Sequence, residues 1–169
     1  MKPYIKFALL GALLGCSGIT HAALQCSVPS GVALNFGTYD DSSATAKDVS
    51  TTFSVNCCRT GAPNPTVGTM VIKMGVSANS GSINTRQMKN AGNSDLMSYQ
   101  LYFTSFGGTV WGDGAIGGSA FNQGVSIART CAAGGQAVAV SSAIFGRIFA
   151  QQAVSAGNYA DTLTITITP

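Results

Sequence analysis

Thr162-Leu163-Thr164-Ile165-Thr166-Ile167-Thr168-Pro169 alternates polar and apolar residues without a fault. The period is 2, with Leu163, Ile165 and Ile167 on one face and the threonines on the other. That is the pattern of a half-buried β-strand. Its β-branched residues suit a pleated surface. With no later strand in the sequence to pair with it, two arrangements are expected. Either the strand sits in a closed sheet, or it leaves an edge that another chain must cover.

The rest of the chain reads in the same way. Val32-Ala33-Leu34-Asn35-Phe36 alternates, and Asp40-Asp41-Ser42-Ser43 is a turn. Val49, Thr51, Phe53, Val55 and Cys57 share a face, with Ser50, Thr52, Ser54 and Asn56 opposite. Arg59 to Pro65 contains Gly61, Pro63 and Pro65 and reads as a loop. Met70, Ile72, Met74 and Val76 mark a strand. Residues 77–94 read as a polar loop, in which Arg86-Gln87-Met88-Lys89 is a small basic patch or, better, a solvated segment. Tyr99, Leu101 and Phe103 mark another strand, followed by a glycine-rich stretch over 105–120. Val138 and Val140 begin a strand that runs, with a break, through Ile144 to Ile148, and Tyr159 to Thr168 closes the chain. No segment holds a 3.6 period for three turns, and no repeat of fixed period is present. Short strands separated by turns predict an all-β antiparallel sandwich.

Residues 1–22 are expected to be a signal peptide. Lys2 and Lys6 form its basic start, and Phe7 to Cys16 an apolar run too short to span a bilayer. Thr20-His21-Ala22 offers a cleavage site, placing the cut before Ala23 and a single domain over 23–169. Leu13-Leu14-Gly15-Cys16 allows a rival lipoprotein reading, with Cys16 acylated. No later stretch is long and apolar enough to span a membrane. Lys2 and Lys6 are two of the nine Lys and Arg, so the remainder sets seven cations against six carboxylates. That balance points away from nucleic acid and from an anionic membrane surface.

Cys26, Cys57, Cys58 and Cys131 remain after cleavage. In an exported protein an even count reads as two disulfides, with three pairings open. A metal site is disfavoured, because Cys57-Cys58 is not a C-x-x-C knuckle and the one histidine, His21, leaves with the signal. Catalysis fares no better. The acids are Asp40, Asp41, Asp48, Asp95, Asp113 and Asp161, mostly in turns, and there is no Glu. With no His a Ser/His triad is impossible, and no catalytic residue or cofactor is assigned. Val110-Trp111-Gly112-Asp113-Gly114 allows two readings. Trp111 is a surface contact stacking on a sugar ring, or a buried plug over one end of the sandwich; burial is the commoner fate of a large aromatic. Tyr159 is expected at the corner where the chain crosses between sheets.

Taken in order, Leu34-Asn35-Phe36-Gly37-Thr38-Tyr39, Val55-Asn56-Cys57, Tyr99-Gln100-Leu101-Tyr102, Val110 to Gly114, Phe145-Gly146-Arg147-Ile148 with Gln151-Gln152, and Ala156 to Thr162 resemble the spore coat U domain family. That family includes subunits of archaic chaperone–usher pili. The resemblance covers about residues 26 to 168. It implies an immunoglobulin-like sandwich that lacks its final strand and is completed by donor-strand complementation. The implied partners are a periplasmic chaperone, an outer-membrane usher and a neighbouring subunit that donates a strand. The implied groove runs between Val32, Leu34 and Phe36 on one side and Leu163, Ile165 and Ile167 on the other. The resemblance also implies a Cys26–Cys57 bridge, which leaves Cys58 for Cys131.

In one respect the chain departs from shaft-forming relatives, which carry a long alternating donor segment ahead of the first cysteine. Here Ala23, Leu24 and Gln25 alone precede Cys26, and Pro29 interrupts the residues just after it. A ten-residue donor strand would span about 33 Å. The expectation is a subunit that accepts a strand but gives none, and so sits at the tip or in a minor position, with adhesion and biofilm formation following by analogy. A self-contained coat domain and a carbohydrate-binding module are the alternatives.

Overall fold

A computed structural model describes residues 23–27, 32–61, 64–132 and 138–169. The signal peptide and its cleavage site, with Cys16, lie outside these residues. Among the described residues nine strands form: β1 (Ala23–Ser27), β2 (Lys47–Thr60), β3 (Thr66–Met74), β4 (Arg86–Asn90), β5 (Leu96–Tyr102), β6 (Phe121–Ile127), β7 (Val138–Ile148), β8 (Tyr159–Ala160) and β9 (Ile165–Thr168). One sheet has the order β1-β2-β7-β5-β4-β8 and the other β6-β3-β9, with every ladder between these strands antiparallel. The all-β sandwich expected from the alternation is what forms, and no helix among the described residues is long and apolar enough to cross a membrane.

β2 shows how sequence becomes layer. Its inward residues Phe53, Val55 and Cys57 are buried, while Asp48, Ser50, Thr52 and Asn56 are exposed. It pairs along its length with β7, which runs unbroken for 11 residues rather than with the expected interruption. Gly146 lies inside that ladder opposite Val49. From the other sheet, Met70, Ile72 and Met74 of β3 and Val125 and Ile127 of β6 face this layer and complete the core.

Two loop assignments are corrected and one strand is added. Arg59 and Thr60 belong to β2 rather than to the following loop, and Arg59 is buried with its guanidinium bonded to the carbonyls of Ala128 and Gly61. The polar stretch 77–94 contains β4, whose Arg86, Met88 and Asn90 are all buried, so Arg86 to Lys89 is neither a solvated loop nor a basic patch. Phe121 to Ile127, unassigned from the sequence pattern, is β6.

The disulfides are Cys26–Cys57 and Cys58–Cys131. The first ties β1 to β2 across the register pair Cys26–Cys57. Cys58 points to the opposite face of β2 from Cys57. The second bridge anchors the segment after β6 there, and the Cys131 amide donates to the Arg59 carbonyl at 2.9 Å.

Candidate functional site

Among the described residues the smaller sheet stops at β9, which is paired on one side only. Its register sets Thr168 opposite Val71, Thr166 opposite Lys73 and Ile165 opposite Met74. Just before it, the Gly75 and Ala78 amides donate to the carbonyls of Thr164 and Thr162 at 2.8 and 3.2 Å. Alternate residues of a strand direct their amides and carbonyls to opposite edges. The threonines therefore bond toward β3 and its extension, and the backbones of Leu163, Ile165 and Ile167 face the open edge. The side chains of those three residues are half-buried, and the threonines between them are exposed.

The opposite wall is the segment 32–40. Its side chains alternate as the sequence predicts, with Val32 and Leu34 half-buried, Phe36 buried, and Ala33 and Asn35 exposed. Among the described residues it enters no ladder, however, which corrects the reading of 32–36 as a strand. Side chains hold it in place. Leu34 and Phe36 lie against Gly146 of β7, where a Cβ would run into both. Phe36 meets Tyr99 edge to face at 6.0 Å. The Tyr39 hydroxyl donates to the Phe149 carbonyl at 2.9 Å and accepts from the Gln152 amide at 2.8 Å.

Between the walls lies an open cleft of two adjoining hollows. One, of about 360 Å³, brings together Val32, Leu34, Phe36, Leu163 and Ile165 over Met74, Met88, Tyr99, Leu101 and Ile144. The other, of about 740 Å³, continues between residues 34–41 and 154–159 and shares Leu34, Phe36, Met88 and Tyr159 with the first. Of the six residues expected to line a groove, Ile167 alone lies outside both hollows; it packs instead against the core beside them.

Two polar devices fix this geometry, and neither was legible as functional in the sequence. Asp161 clasps the start of the last strand. Its Oδ1 accepts from the amides of Ala78 and Thr162 and from Asn79 Nδ2, and its Oδ2 accepts from the Tyr99 hydroxyl at 2.7 Å. Burial, reinforced by that bond to Asp161, pushes the Tyr99 hydroxyl pKa up, so it remains a donor at any ordinary pH. Arg86 is fully buried behind the cleft floor. It donates to Gln100 Oε1 and to the carbonyls of Gly75 and Trp111 at 3.0 and 2.7 Å. Burial lowers its guanidinium pKa to about 10, which leaves it charged at neutral pH. A clue was available in the Arg86-x-Met88-x-Asn90 alternation, hidden by the usual association of Arg with surfaces.

Trp111 is not a surface contact. Its indole is completely buried, its Nε1 donates to the Ile72 carbonyl at 3.0 Å, and Phe53, Phe103 and Phe121 surround it at 5.9–6.0 Å between ring centroids. An enclosed ring has no face for a sugar. Tyr159 stands where the chain leaves the larger sheet for the smaller, its hydroxyl donating to the Ser155 carbonyl at 2.8 Å. That is the bond of a tyrosine corner. No group of three His, Cys, Asp or Glu side chains able to hold a metal occurs among the described residues.

The Spore Coat Protein U domain matches residues 13–166, a match that begins inside the stretch read as a signal. No curated protein matches the chain. Among solved structures, the chain resembles one from the CsuC–CsuE chaperone–tip adhesion subunit pre-assembly complex of archaic chaperone–usher Csu pili of Acinetobacter baumannii. Identity is 16% and the TM-score 0.51, over 86% of this chain and 39% of that one. A chain from a chaperone–tip adhesin complex of CFA/I fimbriae biogenesis gives 18% identity and a TM-score of 0.47, over 86% of this chain and 42% of that one. This chain thus spans less than half the length of either. At such identity the first likeness speaks to the fold.

Proposed function

The chain belongs to the Spore Coat Protein U domain family, and from that premise we propose that it is a structural, non-enzymatic subunit of a surface pilus that is completed by a strand from another chain. The observation that carries this reading is the unpaired edge of β9. It faces, across a floored apolar cleft, a second wall that also lacks a ladder. A strand laid there would bond to the backbones of Leu163, Ile165 and Ile167 and extend the smaller sheet, which is strand addition. A periplasmic chaperone would fill the cleft first, and a neighbouring subunit's strand would replace it at an outer-membrane usher. Residues 1–22 would direct export and be removed, leaving 23–169 as the pilin domain.

Energetics favour a partner. Val32, Leu34, Leu163 and Ile165, which line the cleft, are each half-buried. Full burial of such a side chain is worth about 1.5–3 kcal/mol, so covering the cleft recovers several kcal/mol against a net stability of about 5–15 kcal/mol. Phe36 adds little to that sum, because it is already packed on Tyr99.

Within the pilus we place this subunit at the accepting end, as a tip or minor component. Residues Ala23–Ser27 are bonded to β2 in its own sheet, which supports their being unavailable to a neighbour. Adhesion and biofilm formation would follow from that position. Made alone in a periplasm the protein should aggregate or be degraded, and with its chaperone it should be recovered as a one-to-one complex. A stable, soluble monomer made without a chaperone would instead indicate a self-contained coat domain. Purified subunit should not polymerise with itself, and grafting about twelve alternating residues ahead of Cys26 should make it do so, since that length covers one full edge. Self-assembly of the unmodified mature protein would refute the accepting-end placement.

A further inference from the structure

The two hollows of the cleft differ in chemistry. The one at Val32 and Ile165 is mostly apolar, and its one charged group is Asp161, whose carboxylate is already taken by four donors. The one at the far end is lined by Asn35, Thr38, Asp41, Ser155 and Asn158 as well as by apolar side chains. Among the described residues no Lys or Arg lines either hollow. Asp41 is exposed and, among the described residues, has no hydrogen-bond or ion-pair partner. Its neighbours at this end are committed elsewhere. Asp40 caps Ser42, and Asp95 accepts from the amide and hydroxyl of Ser155. Those bonds hold both carboxyls below the usual range, so both add negative charge at neutral pH, but neither lines the hollow as Asp41 does.

We propose that Asp41 selects, among strands that fit the cleft, those carrying a lysine or arginine at the end lying beside it. This deepens the strand-accepting reading and rests on it. An alternating apolar strand satisfies the floor, and every strand of that kind does so alike. Among the described residues, Asp41 is the one charged side chain lining the far hollow, and so it tells a cationic strand end there from an anionic one. An acidic residue brought beside Asp41, Asp40 and Asp95 meets like charge, and a basic residue meets a free partner. Because the site is open to solvent, the effect is that of an exposed ion pair: discrimination of about two- to fivefold, screened by salt.

The test uses the disulfide-intact mature subunit and synthetic twelve-residue peptides of alternating Thr and Ile or Val. Each peptide carries Lys, Gln or Glu at its first or its last position. Affinities come from displacement of a fluorescent Gln peptide. The expected result is a Lys-over-Glu preference of about two- to fivefold at one terminus only, shrinking in high salt. Asp41→Asn should bring the ratio toward one, and Asp41→Lys should invert it. Equal binding of all peptides would overturn the inference and leave the accepting cleft standing. A preference that survives Asp41→Asn unchanged would assign the selection to other groups and overturn it as well. Failure of the Gln peptides to bind at all would overturn the accepting cleft, and this inference with it.

Discussion

Two ends of one core are built from similar side chains and finished in opposite ways. Around Trp111 four aromatic rings enclose one another, and the indole N–H, the two terminal nitrogens of Arg86 and the backbone of the Gly112 turn all find partners within the chain. Along the cleft, Val32, Leu34, Leu163 and Ile165 are equally apolar but half-covered, and two stretches of backbone face a gap. The difference lies in chain supply. The glycine-rich stretch 105–120 folds back through bridges at Val110 and Ser119 to close the first region. Among the described residues no segment closes the second. A domain can thus be rigid at one end of its core and unfinished at the other.

If that contrast is right, mutations should sort by region. The largest effect belongs to Trp111→Ala, which empties the closed end. It should cost about 3–5 kcal/mol, read as a lowered urea midpoint of the strand-complemented subunit. A loss below 1 kcal/mol would mean that the aromatic cluster is not the stable end.

Next is the pair Ile165→Asp and Thr164→Asp. An uncompensated carboxylate in the cleft is costly, and one on the solvent face is close to neutral. Ile165→Asp should cut recovery of the chaperone complex more than tenfold, a difference above about 1.4 kcal/mol, with Thr164→Asp near wild type. Equal recovery would place the cleft on the wrong face of β9.

Gly146→Val tests the far wall. Leu34 and Phe36 occupy the space a side chain would need, so the substitution should cost about 1–3 kcal/mol by overpacking. It should also weaken strand binding, because the displaced segment is one wall of the cleft. The smallest effect is expected of Leu163→Ala in the isolated subunit, about 1 kcal/mol, since that side chain is half-exposed. In the complemented form it should rise into the 2–5 kcal/mol range of buried leucines. The same loss in both forms would erase the distinction between the two regions.

Legibility in the sequence divides along the same line. The alternation of 162–168 and of 32–36 is a local property, so the inward faces were legible. Whether a ladder forms is not local, and the unpaired state of 32–40 depends on which segments come to lie beside it. β4 was hidden because its inward positions include Arg86, whose burial is sustained by carbonyls of Gly75 and Trp111, distant in sequence. β6 alternates Phe121, Gln123, Val125 and Ile127, but the preceding glycines draw the eye to loop. At Trp111 the turn was legible, and the choice between plug and ligand contact was not, since it rests on Phe53, Phe103 and Phe121 arriving from three other segments. Asp161 looked like a turn former, and its clasp on Tyr99 and the 78–79 backbone needs the folded register.

The open edge of β9 is the central claim, and amide hydrogen exchange addresses it most directly. In the free, disulfide-intact subunit the amides of Thr166 and Thr168, directed at Lys73 and Val71, should be protected, while those of Leu163, Ile165 and Ile167 exchange freely. Adding the chaperone or a donor peptide should protect the second set and leave the first largely unchanged. Protection of Leu163, Ile165 and Ile167 already in the free subunit would show that the chain closes its own sheet, and would contradict the claim.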